Sequence, residues 1–224
     1  MHKPALIEVK GLTKVFKDGE KETRVLKGID FEVKEGEWIA IMGRSGAGKS
    51  TFMYQMSLLD DPSGGEVRIF GKDTHKMTPD EKTVFRLNEL GYVFQDYALL
   101  PDLTALENVA VPLMMQGQSK SDAYAQAEES LGRVGLGHRL SNLPSQMSGG
   151  EQQRTSIARA LAHKPRILFA DEPTANLDND SSKTVMELFK TVHNNGQTII
   201  MVTHEEEYSQ FADRIVRLND GLIV

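Results

Sequence analysis

With 224 residues, 39% of them hydrophobic, the chain has room for one α/β domain with a sizeable core and needs neither metals nor staples to fold. It contains no cysteine, which excludes disulfides and thiolate zinc sites and makes a reducing compartment the natural reading. Its formal charge of −6 weighs against a protein whose main task is gripping nucleic acid, and no apolar run approaches the roughly 20 residues that cross a bilayer.

Residues 1–8 hold no long apolar stretch before the first acid, Glu8, so a soluble, unprocessed chain is expected, with any membrane role coming through a partner. Residues 6–9 and 29–33 alternate apolar and polar positions, which predicts half-buried antiparallel strands with turns near Asp18-Gly19 and Glu35-Gly36. Trp38-Ile39-Ala40-Ile41-Met42 is instead continuously apolar, as in a strand covered on both faces, and it leads through a glycine-rich loop into a helix-like stretch over 49–59. A strand over 91–94 precedes a region of helical pattern, 96–163, clearest at 123–131 and 152–161. Two further buried strands are expected, at 167–170 before Asp171-Glu172 and at 198–203 before His204, with a short last strand over 214–218. Strands alternating with helices imply a mostly parallel sheet, here interrupted by an inserted helical subdomain.

Gly43-Arg44-Ser45-Gly46-Ala47-Gly48-Lys49-Ser50-Thr51 places two glycines five apart before Lys-Ser, between a buried strand and a helix. In that context the glycines let backbone N–H groups curl inward around phosphate oxygens. Lys49 then reaches the terminal phosphates and Ser50 can ligate magnesium. Asp171 and Glu172 end a buried strand, where carboxylates are costly unless cations meet them. With a phosphate loop in the same chain, they read as a magnesium ligand acting through water and a group that orients or deprotonates the attacking water; taken alone, they are equally an exposed acidic turn before Pro173. His204 ends another strand and is a candidate for the γ-phosphate, with a structural histidine as the plain alternative. Gln95 stands where the helical region begins and is a candidate for the magnesium or the water, with a surface glutamine as its alternative. Ser148-Gly149-Gly150-Glu151 opens a helix and exposes backbone N–H groups at its start; it is either a simple cap or a second anion site. Two phosphate-type sites on one chain suggest that the second completes the first on a neighbouring molecule.

Across essentially its whole length this ordered set resembles the nucleotide-binding domains of ATP-binding cassette (ABC) proteins. The resemblance implies an α/β P-loop NTPase fold with a mostly parallel central sheet, an N-terminal antiparallel β-subdomain and an inserted helical subdomain. The chain would be one domain, with residues 1–95 and 164–224 as nucleotide-binding core and 96–163 as the helical subdomain. It implies ATP and Mg2+ as ligands, a head-to-tail homodimer, separate integral-membrane permease subunits, no nucleic-acid partner, and a cytoplasmic location against the inner face of the membrane. Residues 43–51 look like the Walker A loop, Gln95 the Q-loop glutamine, Met147 to Glu151 the signature, Asp171 and Glu172 the Walker B end, Asn176-Leu177-Asp178 the D-loop, and His204 the switch histidine. Phe16 stands where the family has an aromatic that stacks on adenine, with a core phenylalanine as the alternative.

The signature departs from the usual Leu-Ser-Gly-Gly-Gln at both ends, with Met147 conserving volume and Glu151 adding a charge that suits the helix dipole but lies near a nucleotide phosphate, so that tolerance with weaker closure is expected. Residues 103–113 look like those of the lipoprotein-release, macrolide-efflux and cell-division ATPases, a group that signals mechanically to its membrane partner. The short stretch between Lys49 and Ser148 leaves no room for the long coiled coil of the DNA-repair and chromosome cassettes. Lys49, Glu172 and His204 are all present, which weighs against a cassette that binds nucleotide without hydrolysing it.

Overall fold

A computed structural model describes residues 5–19 and 21–224; the first four residues of the expected leaderless N-terminus lie outside the described residues. In chain order the strands and helices are β1 Ala5–Asp18, β2 Lys21–Lys34, β3 Trp38–Met42, α1 Lys49–Met56, β4 Gly64–Ile69, β5 Lys72–Asp73, α2 Pro79–Glu89, β6 Leu90–Val93, α3 Ala105–Met115, α4 Lys120–Arg133, α5 Gly149–Ala162, β7 Ile167–Asp171, α6 Asn179–Asn194, β8 Thr198–Val202, α7 Glu206–Ser209, β9 Arg214–Asn219 and β10 Leu222–Ile223. They group into two compact units, one of residues 1–86 with 196–224 and one of residues 87–195.

The first unit holds two sets of strands. β1 and β2 form a long antiparallel hairpin in which Ile7 faces Val33 and Val9 faces Phe31, and β4 lines the other edge of β1. The alternation read from residues 6–9 and 29–33 therefore does its expected work, burying Ile7, Val9, Ile29, Phe31 and Val33 on one side. The second set is built on β3, which is parallel to β8 on one edge and to β9 on the other, while β10 turns back antiparallel on β9. Every residue of β3 and β8 is buried, which is why neither strand alternates. Trp38 and Phe211 stack with ring centroids 6.2 Å apart, closing one end of this core.

In the second unit β6 and β7 are parallel, Val93 facing Ala170. Three helices, α3, α4 and α5, share one apolar core in which Ala105, Val109, Leu113, Ala123, Ala127, Leu131, Ala158 and Ala162 are buried. The many alanines let these helices approach closely. Met147 is buried in the same core, so it anchors the segment just before α5 as a leucine would. Asn108, also buried, donates to the carbonyl oxygens of Leu100, Leu103 and Thr104 and accepts from the Leu100 N–H, which shapes the loop entering α3. Helix α5 is also set against β6: a Cβ on Gly91 would lie 2.5 Å from the Ala160 carbonyl oxygen. The antiparallel N-terminal strands, the parallel strands of both units and the helical core match the α/β architecture expected from the sequence.

Candidate active site

In the first unit, residues 43–48 connect buried β3 to α1. Gly43 has φ 155° and lies against the chain at Leu218, whose carbonyl oxygen would be 2.3 Å from any Cβ added there. Gly48, at φ 96°, is the N-cap of α1 and has no side chain of its own to place over the first N–H groups of the helix. Such a helix start is a ready site for an anion. Ala47 and Gly48 are buried, Arg44, Ser45 and Gly46 are exposed, and Ser50 and Thr51 are half-buried at the start of α1. The Lys49 ammonium folds back over the loop, donating to the carbonyl oxygens of Gly43 at 3.0 Å and Arg44 at 3.4 Å. It is held where a phosphate can meet it. Beside the loop, Thr203 donates its N–H to the Ile41 carbonyl at 3.1 Å, and exposed His204 follows. Phe16 is 46% exposed on β1, with the Lys14 ammonium 5.1 Å from its ring centroid, which removes the core-phenylalanine alternative.

The second unit carries the carboxylates and the second helix start. Asp171 is the buried last residue of β7, so the exposed acidic turn is excluded for it. Glu172 follows with φ 44°, a left-handed conformation that a non-glycine residue adopts only where its surroundings hold it. One holding contact comes from α5, where buried Gln153 donates its amide to the Pro173 carbonyl at 2.7 Å. Another is the turn in which Ala175 donates to the Glu172 carbonyl at 3.1 Å.

Ser148 caps α5 in a reciprocal box: its hydroxyl accepts the Glu151 N–H at 3.3 Å, and the Glu151 carboxylate accepts the Ser148 N–H at 2.8 Å. Gly149 and Gly150 are closely packed, since a Cβ on Gly149 would lie 2.9 Å from the Tyr97 hydroxyl and one on Gly150 2.6 Å from Ser181 Oγ. Asp178 caps α6 by accepting the N–H groups of Asp180 and Ser181, and the Ser181 bond holds its carboxyl below the ordinary range. Gln95 is exposed just past β6, and its carbonyl accepts the Asn176 amide at 3.2 Å. Tyr97 and Ala98 both take left-handed conformations, φ 59° and 49°, and their carbonyls accept the Arg159 guanidinium at 2.9 and 2.5 Å. Burial of that guanidinium pushes its pKa down to about 10, so it remains a cation at neutral pH. The structure thus brings the segments at Gln95, Ser148 and Asp178 together within one unit. Tyr97, Gln153 and Arg159, which hold them there, carry no motif signal in the sequence.

A family profile described as ABC transporter matches residues 26–175, a span that contains the phosphate loop, Gln95, the Ser148 helix start, and Asp171 and Glu172 at the end of β7. The chain belongs to the ABC transporter family. This ABC ATPase binds and hydrolyses ATP. It is 48% identical over 219 residues to an uncharacterised ABC transporter ATP-binding protein of Methanocaldococcus jannaschii, with 98% of each chain covered. It is 49% identical over 221 residues to the lipoprotein-releasing system ATP-binding protein LolD of Geobacter metallireducens, again with 98% of each covered. The macrolide export ATP-binding/permease protein MacB of Agrobacterium fabrum is 45% identical over 219 residues, but the ABC ATPase spans only 34% of that longer protein. Among solved structures, a dimeric post-hydrolysis state of the ATP-binding cassette MJ0796 bound to ADP and Pi superposes with a TM-score of 0.90 at 41% identity, covering 97% of this chain and 96% of the other. Among the described residues no helix is long and apolar enough to cross a membrane.

Proposed function

We propose that this ABC ATPase pairs head to tail with a second copy, closes on two ATP molecules, and passes that closure to separate integral-membrane permease subunits of an export, lipoprotein-release or force-transmitting system. The observation that carries the pairing is the presence of two glycine-bearing helix starts on one chain: the start of α1, with Gly48 as its cap beside Lys49, and the start of α5 with its two closely packed glycines. The dimeric MJ0796 cassette supports the pairing, and the relatives named LolD, of a lipoprotein-releasing system, and MacB, a macrolide export ATP-binding/permease protein, support the link to such a system. The subunit would sit on the cytoplasmic side of the membrane, held by the permease.

Within that reading the amides of residues 43–48, with Lys49 and Thr51, bind the phosphates of one ATP, and Phe16 stacks on its adenine. Ser148, Gly149, Gly150 and Asp178 complete the site on the partner. Glu172 orients or deprotonates the attacking water, with His204 and Gln95 assisting at the γ-phosphate. The strained backbone of Glu172 supports a functional role there, since such strain gathers at working sites. Residues 1–95 and 164–224 serve as nucleotide-binding core and 96–163 as the helical subdomain that carries the signature.

Among the described residues no group of three His, Cys, Asp or Glu side chains could hold a metal ion. Mg2+ takes few protein oxygens and most of its shell from phosphates and water. Ser50, Gln95 and Asp171 are the residues that would hold it, and the bound ion would neutralise charge on the transferring phosphate.

Mixing two crippled variants tests the pairing. Lys49→Ala and Ser148→Arg homodimers should each lack a complete site and be nearly inactive. A heterodimer of the two has one site with both defects and one with neither, so mixing at high concentration should restore part of the activity. A mixture as inactive as its parents, while mixed wild-type chains exchange and hydrolyse normally, would overturn the head-to-tail arrangement.

A further inference from the structure

The acid in the signature does not face outward. Both oxygens of Glu151 are turned back over the start of α5: one accepts the Ser148 N–H at 2.8 Å, the other accepts Arg139 Nε at 2.8 Å. The ion pair is partly shielded, with 15% of the Glu151 side chain and 37% of the Arg139 side chain exposed. Among the described residues Glu151 is the one acceptor for the Arg139 guanidinium. Arg139 is itself well placed for this, because its backbone is fixed. Its N–H donates to the Leu136 carbonyl and its carbonyl accepts from Asn142, while Leu136 and Leu140 pack into the helical core and the Asn142 carbonyl caps α3 through Ala105.

We propose that Arg139 is a positioning residue of the signature, whose charge cancels that of Glu151 so that the α5 start remains receptive to phosphate. The proposal rests on the reading of Ser148 as a partner-site element. A neutral glutamine at position 151 would need no such partner. A carboxylate held by the cap alone would keep a full negative charge one turn from the N–H groups that meet the nucleotide, and like charge there opposes closure. The Ser148 N–H fixes where the carboxylate lies; Arg139 decides what charge the nucleotide meets. The Ser148 N–H, the largest influence, together with Arg139 outweighs the opposing effect of burial and holds the Glu151 carboxyl below the usual range, so it is ionised at neutral pH and the compensation is needed.

A double-mutant cycle tests this. R139Q should leave ATP affinity of the single cassette unchanged, weaken ATP-driven dimerisation, and lower turnover about tenfold at low salt. The loss should shrink toward about 1 M salt, where charges are screened within about 3 Å. Combined with E151Q, the same R139Q change should cost less than about twofold relative to E151Q alone. R139K, which keeps the cation, should stay within about threefold of the parent. An R139Q loss equally large in the E151Q background, or insensitive to salt, makes Arg139 a merely structural contact and overturns the proposal. So does an R139Q variant that matches the parent. If the parent itself neither dimerises with ATP nor hydrolyses it, the pairing reading falls and this one with it; if the parent does both and the cycle is additive, only the role of Arg139 falls.

Discussion

The buried amide of Gln153 donates to the Pro173 carbonyl at 2.7 Å, and so joins the helix that starts at Ser148 to the residue directly after Glu172. The other end of that amide, Oε1, is buried without a partner. A lone buried acceptor costs about 1–3 kcal/mol, so its retention points to a use beyond stability. Its contact beside Glu172 leads to the expectation that Gln153 positions that residue.

Gln153→Leu should therefore lower turnover about tenfold while ATP affinity is unchanged, because the left-handed backbone at Glu172 loses a support. Its effect on stability should be small, since removal of the orphan oxygen offsets the Pro173 carbonyl left without its donor. Thermal melting beside steady-state kinetics checks this, and a variant with a lower Tm and normal kcat would show that Gln153 only packs.

Glu172→Gln should keep ATP binding nearly intact and lower turnover by about 10² to 10⁴, the range for loss of a general base. Equilibrium nucleotide binding measured beside phosphate release decides it. Turnover within about threefold of the parent would remove Glu172 from that role.

Phe16 is 46% exposed, so Phe16→Ala should leave Tm nearly unchanged. Aromatic stacking is worth about 0.5–1.5 kcal/mol, which corresponds to a several-fold loss of ATP affinity. The loss should be absent for inorganic triphosphate, which has no base to stack. Equal weakening for both ligands would sink the adenine role.

Acid should weaken the second unit through its helix caps. Glu107, Glu151 and Asp178 accept backbone N–H groups of Thr104, Ser148 and Ser181, and each is held below the ordinary carboxylate range by that bond. An acid with a lowered folded pKa binds fewer protons when folded than when unfolded. Its stabilisation is therefore present above about pH 4.5 and is lost as pH falls through the folded values. His163 widens the window: burial lowers its pKa below 6.5, so the unfolded chain takes up that proton first and stability begins to fall already below about pH 6.5. Denaturant melts between pH 7 and 3 should show the two stages, and Glu107→Gln should flatten only the lower one.

The motifs were legible in the sequence because each depends on neighbours in the chain. Lys49 follows its glycines directly, Ser148 precedes the helix it caps, and Asp171 ends an apolar run that is a strand by its length and composition. Local chemistry of this kind needs no tertiary information, and it also disclosed the alternation of β1 and β2 and the buried runs of β3, β7 and β8. Phe16 was different: an aromatic on a strand reads the same whether it faces core or solvent, and only the folded hairpin exposes it.

What the tertiary structure alone decided are the ties between segments distant in sequence. Arg159 reaches the carbonyls of Tyr97 and Ala98, Gln153 that of Pro173, and Arg139 the carboxylate of Glu151. In a linear reading Gln153 and Arg159 are ordinary polar residues on a helix and Glu151 is an acid aimed at phosphate. A side chain's direction and partner follow from which backbone the fold brings beside it, and that depends on packing of α3, α4 and α5 as a set. The sequence by itself singled out the residues read as binding and cleaving ATP; the fold decided what holds them and what charge they present.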